Sequence, residues 1–242
     1  MSETITQNLK TIHKRIQAAC KKAGRNPDEV RLLLATKTVD SDRINFALQQ
    51  GETLVGENKA QELQQKCEAI AACSPEVHFI GHLQTNKIKD VIQYASCIES
   101  IDRVKLARKL HNRLLSEHKT INAYIQVNTS YEDSKFGVSP ENALALIKDV
   151  SQFETIKIKG LMTIGLFSSE PEKVRKCFRL LKTIQTEAMA LKLPGVSLKE
   201  LSMGMSGDLE IAIEEGATIV RVGTAIFGER IYPDSYYWDE TK

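Results

Sequence analysis

The sequence contains few cysteines, and their arrangement excludes two common roles of this residue. Five cysteines occur in 242 residues, and no two of them form a Cys-x-x-Cys pair. An odd number without such pairs argues against a disulfide framework and against a thiolate zinc site. We therefore expect no metal centre and reduced, mostly buried cysteines. They are Cys20, Cys67, Cys73, Cys97 and Cys177.

Long apolar runs are also missing. The longest uninterrupted apolar stretches, such as residues 32–35, are far shorter than the roughly 20 residues that cross a bilayer. The first ten residues are polar and lack the apolar core and cleavage site of a secretory signal. We therefore expect a cytoplasmic protein.

The chain has no large excess of charge of either sign. Lysine and arginine total 33 and aspartate and glutamate total 31, which gives a net charge of +2. No global field attracts nucleic acid or an acidic membrane, so we expect neither as a partner. The apolar content of 42% and the charged content of 26% are those of a soluble globular chain.

Apolar residues at helical spacing mark the N-terminal segment. Ile5, Leu9, Ile12 and Ile16 follow one another at intervals of three or four, which places them on one helix face. Gly24 and the proline three residues later end the pattern. The sequence predicts a helix over about 4–23.

Short apolar runs then alternate with helical stretches along the rest of the chain. Two helix starts carry predicted N-caps: Ser139 before Pro140, and Ser169 in a capping box with Glu172. Predicted strands cover 31–37, 53–56, 77–81, 97–98, 121–128, 156–163, 198–203 and 218–223. Predicted helices cover 42–50, 59–71, 86–95, 103–117, 140–150, 171–191 and 208–215.

This alternation predicts an α/β fold with a parallel sheet and crossover helices. Eight strands in about 240 residues favour a closed (β/α)8 TIM barrel, with an open doubly wound sheet as the alternative. No linker or repeat divides the chain, so we expect one domain over 1–242. Its barrel spans about 31–230, between the extra N-terminal helix and a short C-terminal tail.

Lys37 closes the first predicted strand, and the C-terminal strand ends of such a barrel hold the active site. Side chains alternate along a strand, so Leu33, Ala35 and Lys37 share one face. If that face points inward, the barrel wall encloses the lysine stem, and desolvation makes the amine a nucleophile. A solvated lysine at a strand end is the alternative that the pattern alone leaves open.

Two turns rich in glycine and hydroxyl residues follow the seventh and eighth predicted strands, at 201–208 and 220–228. Such strand-to-helix turns offer backbone N–H groups and hydroxyls to an anion, and these two loops are the usual phosphate cradle of (β/α)8 enzymes. The alternative, that the glycines only permit tight turns, stays open at this point. A phosphate site beside an inward lysine indicates a phosphorylated aldehyde held as a Schiff base, which is the chemistry of pyridoxal 5′-phosphate.

Seven motifs follow one another along the chain: LATKT (34–38), VGEN (55–58), HFIGHLQ (78–84) with NK (86–87), DSKFG (133–137), GLM (160–162), SMGMS (202–206) and VRVGTAIFG (220–228). Together they resemble the pyridoxal phosphate homeostasis protein family and, more widely, the N-terminal barrel of alanine racemase-type enzymes. The resemblance covers the chain from about residue 31 to residue 228 and is far more specific than any single motif.

The resemblance implies a set of cofactor-binding residues. Lys37 takes the place of the family's Schiff-base lysine, and Ser206, Gly223 and Thr224 match its phosphate-binding positions. Arg221 matches the arginine beside the pyridine nitrogen, and its strand parity with Gly223 is consistent with an inward side chain.

Two further positions are less specific. Asn58 is similar to a polar residue on the cofactor side, although a role as a turn or helix cap is equally consistent with its position. His78 and His82 have a metal-like spacing for a helix, but they flank a predicted strand end and would not share a face, so we expect structural roles.

The resemblance also implies a function. Alanine racemases take a second acid–base group from a C-terminal β-domain, and the sequence given extends only to Lys242. A cationic Arg221 disfavours protonation of the ring nitrogen and weakens the ring as an electron sink. We expect no catalytic residues and a monomeric protein that holds pyridoxal phosphate on Lys37 for vitamin B6 homeostasis and delivers it to dependent apoenzymes. The alternative is an amino-acid racemase or lyase using the same lysine.

Overall fold

A computed structural model of the protein describes residues 2–228, and eight strands in this range form a closed parallel barrel. Each strand pairs with the next one, and β8 pairs with β1 to close the ring. The predicted barrel is confirmed, and the open-sheet alternative is wrong because an open sheet leaves two unpaired edges. The strands are β1 (Arg31–Ala35), β2 (Leu54–Glu57), β3 (Glu76–Phe79), β4 (Cys97–Ile101), β5 (Ile121–Gln126), β6 (Ile156–Met162), β7 (Val196–Ser202) and β8 (Ile219–Val222).

Helices connect the strands on the outside of the barrel, as parallel pairing requires. The α-helices are α1 (Ser2–Lys22), α2 (Ser41–Gln49), α3 (Ala60–Ile70), α4 (Ile88–Val91), α5 (Val104–Ser116), α6 (Pro140–Ser151), α7 (Pro171–Ala190), α8 (Leu209–Glu214) and α9 (Thr224–Phe227). The predicted C-terminal tail lies outside the described residues.

The alternation of side chains along each strand divides the apolar residues into two layers. Leu32 and Leu34 join the large core between the strands and the helices. Leu33 joins a smaller cluster inside the barrel. The interior cluster consists of Leu33, Leu54, Cys97, Tyr124, Met162 and Ile219, with Ala35, Ile80 and Ile164 packed against it.

The N-terminal helix α1 lies outside the barrel and buries its predicted apolar stripe. Ile5, Leu9, Ile12 and Ile16 all belong to the outer core. Among residues 2–228, no helix combines the length and the apolar character needed to cross a bilayer.

The five cysteines are free, and three of them, Cys20, Cys97 and Cys177, are buried, as expected. Cys67 and Cys73 are half-buried.

Three local predictions need correction. The helix predicted over 86–95 is only the short α4, preceded by a 3-10 turn at Thr85–Lys87, because the chain must reach β4 at Cys97. Ser169 forms no capping box: Glu170 is the N-cap of α7, and its N–H is donated to the Ser168 hydroxyl. Ser139 is the N-cap of α6 as predicted, but its hydroxyl accepts from the Asn142 side chain rather than from the helix backbone.

Candidate functional site

The candidate site lies at the C-terminal end of the barrel, where β1 and β8 run side by side. Leu33 and Ala35 contribute to the barrel interior, so the predicted inward face of β1 is the observed one. Lys37, two residues beyond Ala35, is buried with 8% of its surface exposed. A solvated lysine at the strand end, the alternative considered above, therefore does not describe this residue.

Close approach of β1 and β8 explains one of the predicted phosphate residues. Leu34 is the register partner of Val222, which brings Ala35 beside Gly223. A Cβ added at Gly223 would lie 2.8 Å from the Ala35 carbonyl oxygen. Glycine is therefore required here for packing of the two strand ends, and this packing brings the start of α9 next to the segment that carries Lys37.

Two hydroxyl groups meet where the loops after β7 and β8 come together. Ser206 Oγ and Thr224 Oγ1 are 3.4 Å apart, and Thr224 is the first residue of α9. The first backbone N–H groups of a helix have no partner within the helix and point outward from its N-terminus. The hydroxyl pair and these N–H groups form a cluster of donors of the kind that binds phosphate.

Arg221 is held inside the barrel by two hydrogen bonds. Its guanidinium donates to Ser202 Oγ at 2.9 Å and to the Thr163 carbonyl oxygen at 2.8 Å. Burial lowers the pKa of Arg221, and the nearby carboxylates of Glu99 and Asp208 oppose that shift. The inward orientation expected from strand parity is observed.

The contacts of Arg221 continue as a chain of buried polar groups through the barrel. Ser202 Oγ donates to Glu99 at 2.6 Å, and the other oxygen of Glu99 lies 2.6 Å from His78 Nδ1. His78 Nε2 lies 2.8 Å from Glu76 at the N-terminal end of the barrel. Burial lowers the pKa of His78, but the hydrogen bonds to both carboxylates outweigh it and raise that pKa to about 9.

Glu99, a member of this network, was not predicted from the sequence. The available signal was a glutamate inside a short apolar strand, CIESI, on the same face as Cys97. His78 has the structural role expected of it, while His82 stacks on Phe136 with the ring centroids 3.8 Å apart. Within residues 2–228, no group of three His, Cys, Asp or Glu side chains is arranged to hold a metal ion.

Asn58 follows β2 directly and is half-buried. The N-cap of α3 is Lys59, so the alternative interpretation of Asn58 as the helix cap is wrong. Its carbonyl oxygen packs 2.0 Å from the position that a Cβ on Gly81 would take. The contact between the Asn58 side chain and a cofactor stays a prediction.

The loop that carries Ser206 is supported from two sides. Asp208 accepts a hydrogen bond from the Met205 N–H at 2.5 Å and closes the turn from within. Arg15 of α1 donates to the Ser206 carbonyl oxygen at 2.9 Å and also pairs with Glu210. The N-terminal helix thus contributes to this site, which its apolar stripe alone did not indicate.

The groups gathered at the barrel mouth fit pyridoxal phosphate by their chemistry. A buried primary amine can attach an aldehyde, paired hydroxyls and helix N–H groups can bind a phosphate, and a guanidinium can donate to a ring nitrogen. The residues that would hold the group are therefore Lys37, Ser206, Thr224 and Arg221.

The fold and these residues define a class of protein. A family model described as the alanine racemase N-terminal domain matches residues 5–231. An alanine racemase of Clostridium difficile shares the fold with a TM-score of 0.72 at 14% identity, covering 96% of this chain and 57% of its own. The class is thus a barrel of the alanine racemase N-terminal type.

More similar proteins narrow this class. The pyridoxal phosphate homeostasis protein of Aquifex aeolicus is 42% identical over 226 residues, which is 93% of this chain and 98% of its own. The structure of PipY from Synechococcus elongatus with PLP bound has a TM-score of 0.78 at 28% identity, covering 90% of this chain and 100% of its own. The chain belongs to the pyridoxal phosphate homeostasis protein family.

Proposed function

We propose that this protein binds pyridoxal 5′-phosphate at the barrel mouth and holds it on Lys37 as part of intracellular vitamin B6 homeostasis. The observation that carries the proposal is a buried Lys37 two residues beyond β1, where Ala35 packs against Gly223, the residue before Thr224, whose hydroxyl pairs with that of Ser206. The relative PipY, whose structure contains PLP, and the names of the curated relatives support the same function. When bound, pyridoxal phosphate supplies an aldehyde that condenses reversibly with a lysine amine.

Each residue of the site has a separate task. Ser206 and Thr224 donate hydrogen bonds to the phosphate, together with backbone N–H groups at the start of α9. Gly223 lets β8 approach Ala35 closely enough to set α9 beside Lys37. Arg221 would donate to the ring nitrogen of the cofactor, and Ser202 and Thr163 fix its guanidinium.

Arg221 also explains why the protein holds the cofactor rather than turning over amino acids. A guanidinium keeps its proton at ordinary pH, so it donates to the ring nitrogen and leaves that nitrogen unprotonated. An unprotonated ring is a weak electron sink, which disfavours removal of an amino-acid α-proton. We infer a monomeric, cytoplasmic carrier that buffers pyridoxal phosphate and passes it to dependent apoenzymes.

The test is the visible spectrum of purified protein loaded with pyridoxal phosphate, recorded before and after addition of L-alanine. A carrier keeps its bound cofactor and forms no D-alanine, and it restores activity when mixed with a dependent apoenzyme. Sustained interconversion of L- and D-alanine that disappears in Lys37→Ala would instead establish a racemase.

A further inference from the structure

The two peptide groups on either side of Lys37 are each held by a charged side chain of α3. The Thr36 carbonyl, which precedes Lys37, accepts a hydrogen bond from Lys66 Nζ at 2.7 Å. The Thr38 N–H, which follows Lys37, donates to Glu62 Oε2 at 2.8 Å. Residues 36–38, here called the lysine turn, are thus fixed at both bonds that leave the Lys37 Cα.

The ammonium group of Lys66 is fully used in this arrangement. Besides Thr36, it donates to Glu57 at 2.9 Å and to Glu62 at 2.8 Å. An ammonium has three donors, so these three acceptors fix its orientation. Glu57, at the end of β2, also accepts a hydrogen bond from Thr36 Oγ1 at 2.5 Å. The Lys66–Glu57 pair is therefore tied to the residue that follows β1.

This cluster lies on the outer side of the barrel wall, opposite the Lys37 side chain. Thr36 has the parity of Leu32 and Leu34, which point outward into the core below the helices. Lys66 is 12% exposed and Glu57 is 3% exposed. A buried ion pair contributes little net stability compared with apolar residues of the same volume, so stability alone does not account for its presence here.

The backbone of the lysine turn also needs such support. Thr38 has a φ of 66°, in the left-handed region that a threonine rarely adopts. A conformation of this kind is unfavourable for a threonine and persists only where its surroundings enforce it. Two hydrogen bonds hold it: the Val39 N–H donates to the Thr36 carbonyl at 2.9 Å and closes the turn, and the Thr38 N–H donates to Glu62 and ties the turn to α3.

We propose that Glu62 and Lys66 are positioning residues for Lys37: they hold the lysine turn so that its amine enters the barrel mouth in the orientation that attaches the cofactor. Neither side chain touches the cofactor. The inference rests on the proposed function, since it assigns a role toward the lysine that holds pyridoxal phosphate. It separates attachment through Lys37 from binding of the phosphate, which the loops after β7 and β8 perform.

Two ligands distinguish these contributions. Pyridoxal 5′-phosphate uses both the amine and the phosphate loops, whereas pyridoxine 5′-phosphate has an alcohol in place of the aldehyde and uses the loops alone. For Glu62→Ala we expect the Kd of pyridoxal phosphate to rise about tenfold and that of pyridoxine phosphate to change less than about twofold. Glu62→Gln keeps an acceptor for the Thr38 N–H and should recover most of the loss.

The cofactor-free protein provides a second readout. Hydrogen exchange at the Thr38 amide should accelerate in Glu62→Ala and stay slow in Glu62→Gln. Glu117→Ala is the matched control, because it removes a partly buried i,i+4 pair with Arg113 of α5, away from the lysine turn. This control should change neither Kd nor the exchange of Thr38.

Lys66→Met tests the hydrogen bond from Lys66 to the Thr36 carbonyl. If this variant fails to fold, Lys66→Met combined with Glu57→Gln avoids leaving a buried carboxylate unpaired. If both fail, the Glu62 series decides the question alone. Equal weakening of both ligands in Glu62→Ala, or no change in either, would overturn the proposal. Failure of the parent protein to bind pyridoxal phosphate would instead overturn the proposed function, so the two failures are distinguishable.

Discussion

Arg221 is buried in β8, where its guanidinium donates to Ser202 and to the Thr163 carbonyl oxygen. It shares Ser202 with Glu99, so a guanidinium and a carboxylate are joined through one hydroxyl inside the barrel. Glu99 has a second cationic partner in His78, so removal of Arg221 takes away one of the two positive charges near this buried carboxylate. The position of Arg221 is therefore coupled to a residue that never reaches the barrel mouth.

A double-mutant cycle measures this coupling. Arg221→Met should lower the free energy of unfolding by about 1–3 kcal/mol, because Ser202 loses its buried donor and Glu99 loses a nearby positive charge while keeping His78 as a partner. Glu99→Gln should cost less in the Arg221→Met background than in the parent, since the neutral amide no longer needs a counter-ion. Urea denaturation of the four proteins at pH 7 gives the coupling, and strictly additive effects would disprove it.

Another prediction concerns the Ser206 and Thr224 hydroxyls, in the loops after β7 and β8. Ser206→Ala and Thr224→Ala should each weaken binding of pyridoxal phosphate by about 1–3 kcal/mol, because each removes a hydrogen bond to a charged group. Equilibrium titration of the cofactor-free protein measures the change. Thr183→Ala, which removes an exposed hydroxyl on α7, is the control and should bind like the parent. Unchanged affinity in both loop variants would place the phosphate elsewhere.

At the scale of elements, α1 contacts both the loop after β7 and the short helix α9 that follows β8. Arg15 binds the Ser206 carbonyl, and Asn8 donates to the Ile226 carbonyl in α9 at 2.9 Å. Through these contacts, a helix outside the barrel fixes the loops that hold the hydroxyl pair.

We expect Arg15→Ala to weaken binding of pyridoxal phosphate about threefold to tenfold without any contact to the cofactor, because the Ser206 loop loses a charge-assisted hydrogen bond. Lys14→Ala, one residue away and exposed, serves as the control. Both Kd values come from the same titration. If Arg15→Ala binds as tightly as Lys14→Ala, then α1 does not support the loop.

Across the whole molecule, the buried polar chain makes stability depend on pH. His78 has a folded pKa of about 9 against an ordinary value of 6.5, so its contribution is complete below 6.5 and is lost as the pH rises through 9. The free energy of unfolding should fall by roughly 1–3 kcal/mol between pH 7 and pH 9.5 on this account. His78→Gln removes this contribution, and the difference between parent and variant in urea denaturation isolates it. Parallel pH profiles for the two proteins would contradict the assignment.

The sequence predicts the barrel well because its signal is local. Each strand is a short apolar run. Side chains alternate in direction along it, so that Leu33 points into the barrel while Leu32 and Leu34 point outward. Helix lengths are less well predicted where space limits them, as in α4. Ser169 is not the cap because α7 begins one residue later than the predicted capping box requires, with Glu170 at the N-cap position.

The candidate site residues also divide into those that local sequence features predict and those that they do not. Lys37, Ser206 and Thr224 were identified from strand ends and motifs, which are local features. Glu62, Lys66 and Glu99 were not, because their roles depend on contacts between residues distant in the sequence. Lys66 reaches across 30 positions to Thr36, and Ser202 reaches across 103 positions to Glu99. Only the closed barrel brings such residues together.

The central claim is that Lys37 holds the cofactor, and reduction with borohydride tests it most directly. The protein is loaded with pyridoxal phosphate, reduced, digested and analysed by mass spectrometry, with Lys37→Arg as the control that keeps the positive charge. We predict a single stable label on the peptide that contains Lys37, and its absence from the control. A label on another lysine, with the Lys37 peptide unmodified, would contradict the account.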